Sequence, residues 1–228
     1  DLHYARQIRS DGRFLKIFQK EQGSKTLFVM GDRPASRQSG DFLYLNHKEG
    51  YNNLSVKTFK AIEYCHNNFK FKKLIKVDCN IFDYHKTMKS RAKKFDPKVI
   101  FKKIIKNNLD SEYGGIIPHI TNEKRMRAWI DMHTKGGKFM GNETYRLIKE
   151  VGEIPYFQGK FYYIDRRFAR FISSSKGSRV SRYFVKNLGG AEDVFIGLMY
   201  LMYRKKVNSK QIMNIVNAEQ VAGKRARR

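Results

Sequence analysis

Short apolar runs, each bounded by glycine or a carboxylate, alternate with longer stretches of helical spacing. That alternation restricts the chain to an α/β fold. Thr26-Leu27-Phe28-Val29-Met30 stops at Gly31 and reads as a buried strand. Asp41 to Leu45 is the next strand, and residues 31–40 between the two are rich in Gly, Pro, Ser and charge and read as loop. Residues 51–68 have helical spacing, with Leu54, Phe59, Ile62 and Tyr64 near one face. Phe71 to Val77 is a strand that delivers Asp78. With a helix expected over residues 2–22, the order is helix, strand, strand, helix, strand, with acid at a strand's carboxyl end. Open α/β sheets bind their ligands there.

The rest of the chain is read the same way. Residues 86–108 form a basic amphipathic pattern with Val99, Ile100, Ile104 and Ile105 apolar. Tyr113 to Pro118 reads as strand and turn, with Tyr113-Gly114-Gly115 as the turn. Residues 122–133 are ambiguous, and 138–148 read as strand and short helix. Pro155 to Ile164 is aromatic and strand-like, broken by Gly159. Arg166 to Ser173 is a helix, Val194 to Tyr203 an all-apolar buried helix, and Lys210 to Ala218 a last helix. With no internal repeat or linker, one domain over residues 1–223 and a basic tail over 224–228 are expected.

Charge is the second constraint. Lys and Arg number 47 against 21 Asp and Glu, a net charge of +26, so polyanions are attracted. Nucleic acid, an anionic membrane and an anionic sugar polymer are the candidate partners. A Lys- and Asn-rich coding bias explains the same charge without function. No helix-turn-helix, zinc or ribonucleoprotein motif is present, so no specific nucleic acid is expected. The two cysteines, Cys65 and Cys79, make neither a disulfide framework nor a zinc spacing. A reducing, cytoplasmic setting is expected, with peripheral contact to a membrane open to the basic surface. No apolar run approaches the ~20 residues of a membrane helix, and no signal peptide opens the chain.

In so basic a chain, two carboxylate clusters at the ends of apolar elements carry the chemistry. One is Asp78, in Lys76-Val77-Asp78-Cys79-Asn80-Ile81-Phe82. The other is Glu192-Asp193, which follows Gly189-Gly190 and opens an apolar helix. A metal–diphosphate site and a base are one reading. The plain alternatives are a strand-end turn or helix cap at Asp78 and acids that favour a helix N-terminus at Glu192-Asp193.

Several segments, in order, resemble glycosyltransferase family 31, the β-1,3-galactosyltransferase-like group. Arg6-Gln7-Ile8-Arg9 resembles its RxxIR segment, and Leu27 to Gly31 its "FLLG" strand. Gly40-Asp41-Phe42-Leu43 with Tyr51 to Thr58 resembles "GDIL…DxYxNLTLKT", the most specific block. Lys76 to Phe82 sits where the family has "KxDDDxF". Ile154 to Ile164 resembles its Pro-Tyr-Gly segment, and Glu192 to Gly197 resembles "EDVxxG". The resemblance implies a GT-A-like, Rossmann-like single domain, with a mixed central sheet flanked by helices. It also implies a first strand ahead of Arg6, expected upstream of Asp1 or replaced by another element.

The resemblance further implies an inverting transfer of a hexose or N-acetylhexosamine from a UDP-sugar to a glycan or other hydroxyl acceptor, giving a β-linkage. Asp193 is then the general base. Asp78 and Asn80 would hold Mn²⁺ or Mg²⁺ against the diphosphate of the donor. Lys57, Arg6 and Arg9 would contact the donor, the arginines as forks on phosphate or uridine. Glu192, Tyr156, Phe157, Gly159 and Tyr162 would face the acceptor, with Tyr163 in the same aromatic wall and Trp129 and His133 further candidates. Two of the family's three acids are replaced here, by Cys79 and Asn80, and no histidine follows Asp193. Weak metal binding, charge stabilisation by Lys and Arg, or lost activity would each follow. The alternatives kept beside transfer are a non-catalytic glycan-binding domain of this fold and a basic nucleic-acid-binding protein.

Overall fold

The computed structural model describes residues 24–50, 53–78, 111–115, 118–134, 148–174, 180 and 191–207, with backbone only for 129–134. The helices expected over 2–22, 86–108 and 210–218, and the basic tail, lie outside this set, as does 138–147. The described chain is mixed α/β. Its strands are β1 (Phe28–Met30), β2 (Arg37–Ser39), β3 (Phe42–Tyr44), β4 (Lys73–Val77), β5 (Tyr113–Gly115), β6 (Pro118–Thr121), β7 (Ile154–Phe157) and β8 (Phe161–Asp165). Its helices are α1 (Leu54–Asn68), α2 (Glu123–Thr134), α3 (Arg166–Ser173) and α4 (Glu192–Tyr203).

Instead of one central sheet, the described strands make three small ones, ordered β1-β3-β2, β4-β8-β5 and β6-β7. β1 and β3 run parallel, whereas the other pairs are antiparallel. The segment expected as loop before Gly40 contains β2. It folds back on β3 through a two-residue turn at Gly40-Asp41, where Gly40 takes the φ of 58° that such a hairpin turn needs. Its Arg37 and Ser39 are exposed, as suits an edge strand.

Tyr113-Gly114-Gly115 is a strand, not a turn. A Cβ at Gly114 would overlap the Tyr163 ring, and one at Gly115 would lie 2.6 Å from Phe157 Cβ. The glycines let β5 pass close beneath two aromatic side chains. The ambiguous stretch 122–133 becomes α2, capped by Asn122 Oδ1, which accepts from Arg125 N–H at 3.0 Å. The aromatic stretch divides at residues 158–160, as the break at Gly159 leads one to expect. β7 pairs with β6, whereas β8 turns to lie between β4 and β5.

β8 is buried along its length and forms the centre of the core with Phe168, Ile172, Phe195 and Met199. It ends at Asp165, which caps α3 by accepting from Phe168 N–H at 2.7 Å. α4 lies on β7, and α1 lies on α3. Close contact between α4 and β7 depends on Gly197. A Cβ there would lie 2.8 Å from Tyr156 Cβ and closer still to the Pro155 carbonyl oxygen. Gly197→Ala is therefore expected to cost about 1–3 kcal/mol. Thermal unfolding should show a Tm lower by roughly 2 °C or more.

Candidate active site

Lys76 is the penultimate residue of β4, and Asp78 follows two positions on, so both side chains leave the same face. The Lys76 ammonium donates to Asp78 Oδ1 at 2.5 Å, to Glu192 Oε1 at 2.8 Å and to the Gly159 carbonyl oxygen. One cation thus joins the end of β4, the β7–β8 connection and the start of α4. Lys160 Nζ lies 3.6 Å from Asp78 Oδ2, on the carboxylate's other oxygen. Asp78 N–H in turn donates to the Lys160 carbonyl at 3.0 Å. Burial works against the Lys76 charge, but the carboxylates of Glu192 and Asp78 outweigh it and raise its pKa.

Gly159 makes the junction possible. A Cβ at this position would lie 2.5 Å from Glu192 Oε1, so only glycine leaves room for the carboxylate. Its N–H donates to Asp193 Oδ2 at 3.1 Å, while its carbonyl receives Lys76. Asp193 Oδ1 accepts from Val194 N–H at 2.9 Å. Burial, then the neighbouring Glu192 charge, push the Asp193 carboxyl up to about 7; the Val194 and Gly159 N–H groups and Lys76 pull it back. A carboxyl poised there can take a proton near neutral pH.

The two acidic clusters, expected as a donor site with a base beside it, meet in one assembly around Lys76, a residue not among the expected site residues. Its signal was the i, i+2 spacing from Asp78 on a strand, which puts both on one face. Glu192 does not face outward toward an acceptor, because its side chain is 4% exposed and pairs with Lys76. Tyr162 is likewise buried in the core, its ring 5.7 Å from the Lys76 ammonium, and makes no open wall. Tyr163 is buried over Gly114, with its hydroxyl 2.5 Å from Ser111 Oγ. Tyr156 and Phe157 remain half-buried on β7, next to the start of α4.

Lys57 belongs to a different cluster. It donates to Glu49 Oε1 at 2.7 Å, and the same oxygen accepts from Gly31 N–H at 2.5 Å. That pair ties α1 to the end of β1. Arg6, Arg9 and Asn80 lie outside the described residues, as do the side chains of Trp129 and His133.

The metal question turns on Asp78. Both of its oxygens face ammonium groups, and no cluster of three His, Cys, Asp or Glu side chains among the described residues could hold a cation. The described donor set does not fit Mn²⁺ or Mg²⁺, which need several oxygen ligands.

A cleft of ≈ 540 Å³ opens beside the assembly, lined by Tyr156 and Phe157 of β7, His119 of β6 and Arg125 of α2. A larger concavity runs along α2 and residues 148–153. The cleft is the nearer of the two to the base, because Gly197, one helical turn beyond Asp193, packs against its Pro155 and Tyr156. Among the described residues, no helix is long and apolar enough to cross a membrane.

Lys76→Met should leave Glu192 buried without its cation, at a cost of about 1–3 kcal/mol. It should also raise the Asp193 pKa above about 7, since Lys76 favours the charged carboxylate. Urea denaturation and carboxyl NMR titration read the two effects, and Lys76→Arg should recover most of both.

No curated protein and no solved structure matches the chain. The galactosyltransferase family model matches residues 18–211, which spans every element described above. On that match, the chain belongs to the galactosyltransferase family.

Proposed function

We propose that this glycosyltransferase is an inverting enzyme of GT-A-like architecture. It moves a hexose or N-acetylhexosamine from a UDP-sugar to a glycan hydroxyl, forming a β-linkage. The observation that carries the reading is the Lys76 junction, which brings Asp78 of one motif beside Glu192-Asp193 of the other. Asp193 takes the proton of the acceptor hydroxyl as that oxygen attacks the anomeric carbon. The bond from that carbon to the diphosphate oxygen breaks on the opposite face, and UDP carries away the electron pair. The developing negative charge is met by the basic Lys76–Lys160 end of the assembly.

Glu192 and Gly159 act as supports. Glu192 raises the Asp193 pKa and orients Lys76, and the Gly159 N–H holds the base in place. Tyr156 and Phe157 offer the acceptor side. Lys57 acts through the fold, by its bond to Glu49.

Four measurements test this. Asp193→Asn should lower transfer by roughly 10²- to 10⁴-fold; transfer at the parental rate would remove the base assignment. In the parent, the rate should fall about tenfold per pH unit below about 7, where the Asp193 carboxyl is protonated. The same shift has a stability consequence. The folded-state pKa lies above the ordinary value of 3.8, so the stabilising contribution of protonated Asp193 is full below 3.8 and lost as pH rises through about 7. Asp193→Asn should therefore unfold at a higher temperature than the parent at pH 8, although it transfers sugar far more slowly. Finally, a chelator should change UDP-sugar turnover by less than about twofold. A loss beyond tenfold, restored by Mn²⁺, would show that ligands outside the described residues complete a metal site.

A further inference from the structure

The cleft beside Asp193 has a one-sided character. Its walls are Tyr113, His119, Tyr156, Phe157, Tyr200 and two prolines, and among the described residues its one charged side chain is Arg125. The rings of His119 and Tyr156 stack at 5.4 Å with 22° between their planes, and His119 is exposed. Ile120, beside them, is the one exposed large hydrophobic side chain among the described residues. Flat aromatic faces at a half-open cleft suit the C–H face of a sugar ring, which is apolar where its hydroxyls point away.

Arg125 adds a second criterion. Its Nη1 donates to the Ile120 carbonyl at 2.6 Å, which holds the guanidinium at the rim. It makes no ion pair among the described residues. A guanidinium fixed in this way presents its remaining N–H groups as a fork, and a carboxylate is the planar group that fits such a fork. The cleft also adjoins the base. Gly197, one helical turn beyond Asp193, packs against Pro155 and Tyr156 of its wall, and burial and then the Asp193 charge push the Tyr156 hydroxyl up to about 12. In addition, Gly159, two residues beyond Phe157, donates to Asp193.

We infer that this cleft is the acceptor subsite and that it selects a saccharide bearing a carboxylate, with the ring against Tyr156 and His119 and the acid on Arg125. The inference rests on the transfer reading above. It names what that reading leaves open, the charge class of the acceptor.

The test compares two disaccharides that differ only in a terminal glucuronic acid against glucose. Calorimetry is run on the full chain at 50 mM and 200 mM salt. The acidic disaccharide is expected to bind about tenfold more tightly, and Arg125→Gln should bring the two within about twofold. His119→Ala and Tyr156→Ala should each weaken the acidic sugar by about tenfold, and thermal unfolding checks that each variant is folded. Equal binding of the two sugars in the parent, or a preference untouched by Arg125→Gln, overturns the charge selection. Displacement of the acidic sugar by UDP assigns the cleft to the donor and overturns the inference. UDP-sugar hydrolysis, measured on the same samples, separates the two readings. Hydrolysis without acidic-sugar binding sinks the subsite alone, whereas acidic-sugar binding without Asp193-dependent hydrolysis sinks the transfer reading alone.

Discussion

One ammonium group organises the centre of this molecule. Lys76 leaves the end of β4, crosses to the Gly159 carbonyl in the β7–β8 connection and reaches Glu192 at the start of α4. Three elements far apart in sequence are fixed to each other by its three N–H donors. The arrangement is costly to leave half made. A Glu192 carboxylate with only 4% of its side chain exposed would be a buried charge without a partner if the lysine were absent. Without Glu192 the lysine, in turn, would lose one of the two carboxylates that offset its burial against the Tyr162 ring and would keep only Asp78. The pair is stable because both members are present.

Glycine is the other half of the arrangement, for reasons of space rather than of backbone conformation. Gly159 leaves room for Glu192, Gly197 lets α4 approach β7, and Gly114 and Gly115 let β5 pass under Tyr163 and Phe157. At Gly115 and Gly197 a methyl group would meet backbone and Cβ atoms, at Gly114 the Tyr163 ring, and at Gly159 a carboxylate held by Lys76. The aromatic residues of β7 and β8 fill what the glycines leave open. This explains why a stretch as aromatic as Tyr156 to Tyr163 divides its duties. Tyr162 and Tyr163 are packed into the core, and Tyr156 and Phe157 remain at the surface of the cleft.

What could be read from the sequence followed from period and punctuation. The apolar runs ending at Met30 and Val77 became strands, and α1, α3 and α4 stand close to where their spacing placed them. The strand at Arg37–Ser39 was hidden because an exposed edge strand needs no apolar residues, so its polar composition matched that of a loop. Tyr113-Gly114-Gly115 has the local signature of a turn, but tertiary contact with Tyr163 and Phe157, not local conformation, sets the need for glycine there. At the site, both acidic motifs were legible as motifs. Their union was not, since the Lys76–Glu192 pair spans 116 residues and no local pattern records it. Nor could burial be read from residue type, and burial is what took Glu192 and Tyr162 away from the acceptor side.

The position of Asp193 ties this architecture to its chemistry. A carboxyl at a helix start, with two backbone N–H donors, would ordinarily remain a weak base. Here burial and the adjacent Glu192 push in the opposite direction and carry it to about 7. Lys76 moderates that push from the far side of Glu192, so the strength of the base and the charge at the Asp78 end are not independent. Any change that draws Lys76 away from Glu192 makes Asp193 harder to ionise, and any change that adds positive charge there makes it easier. A fold that needed only stability would neutralise these carboxylates or replace them with apolar side chains. Keeping three carboxylates around one lysine, with one of them held near neutrality, is accounted for by proton transfer at that carboxyl.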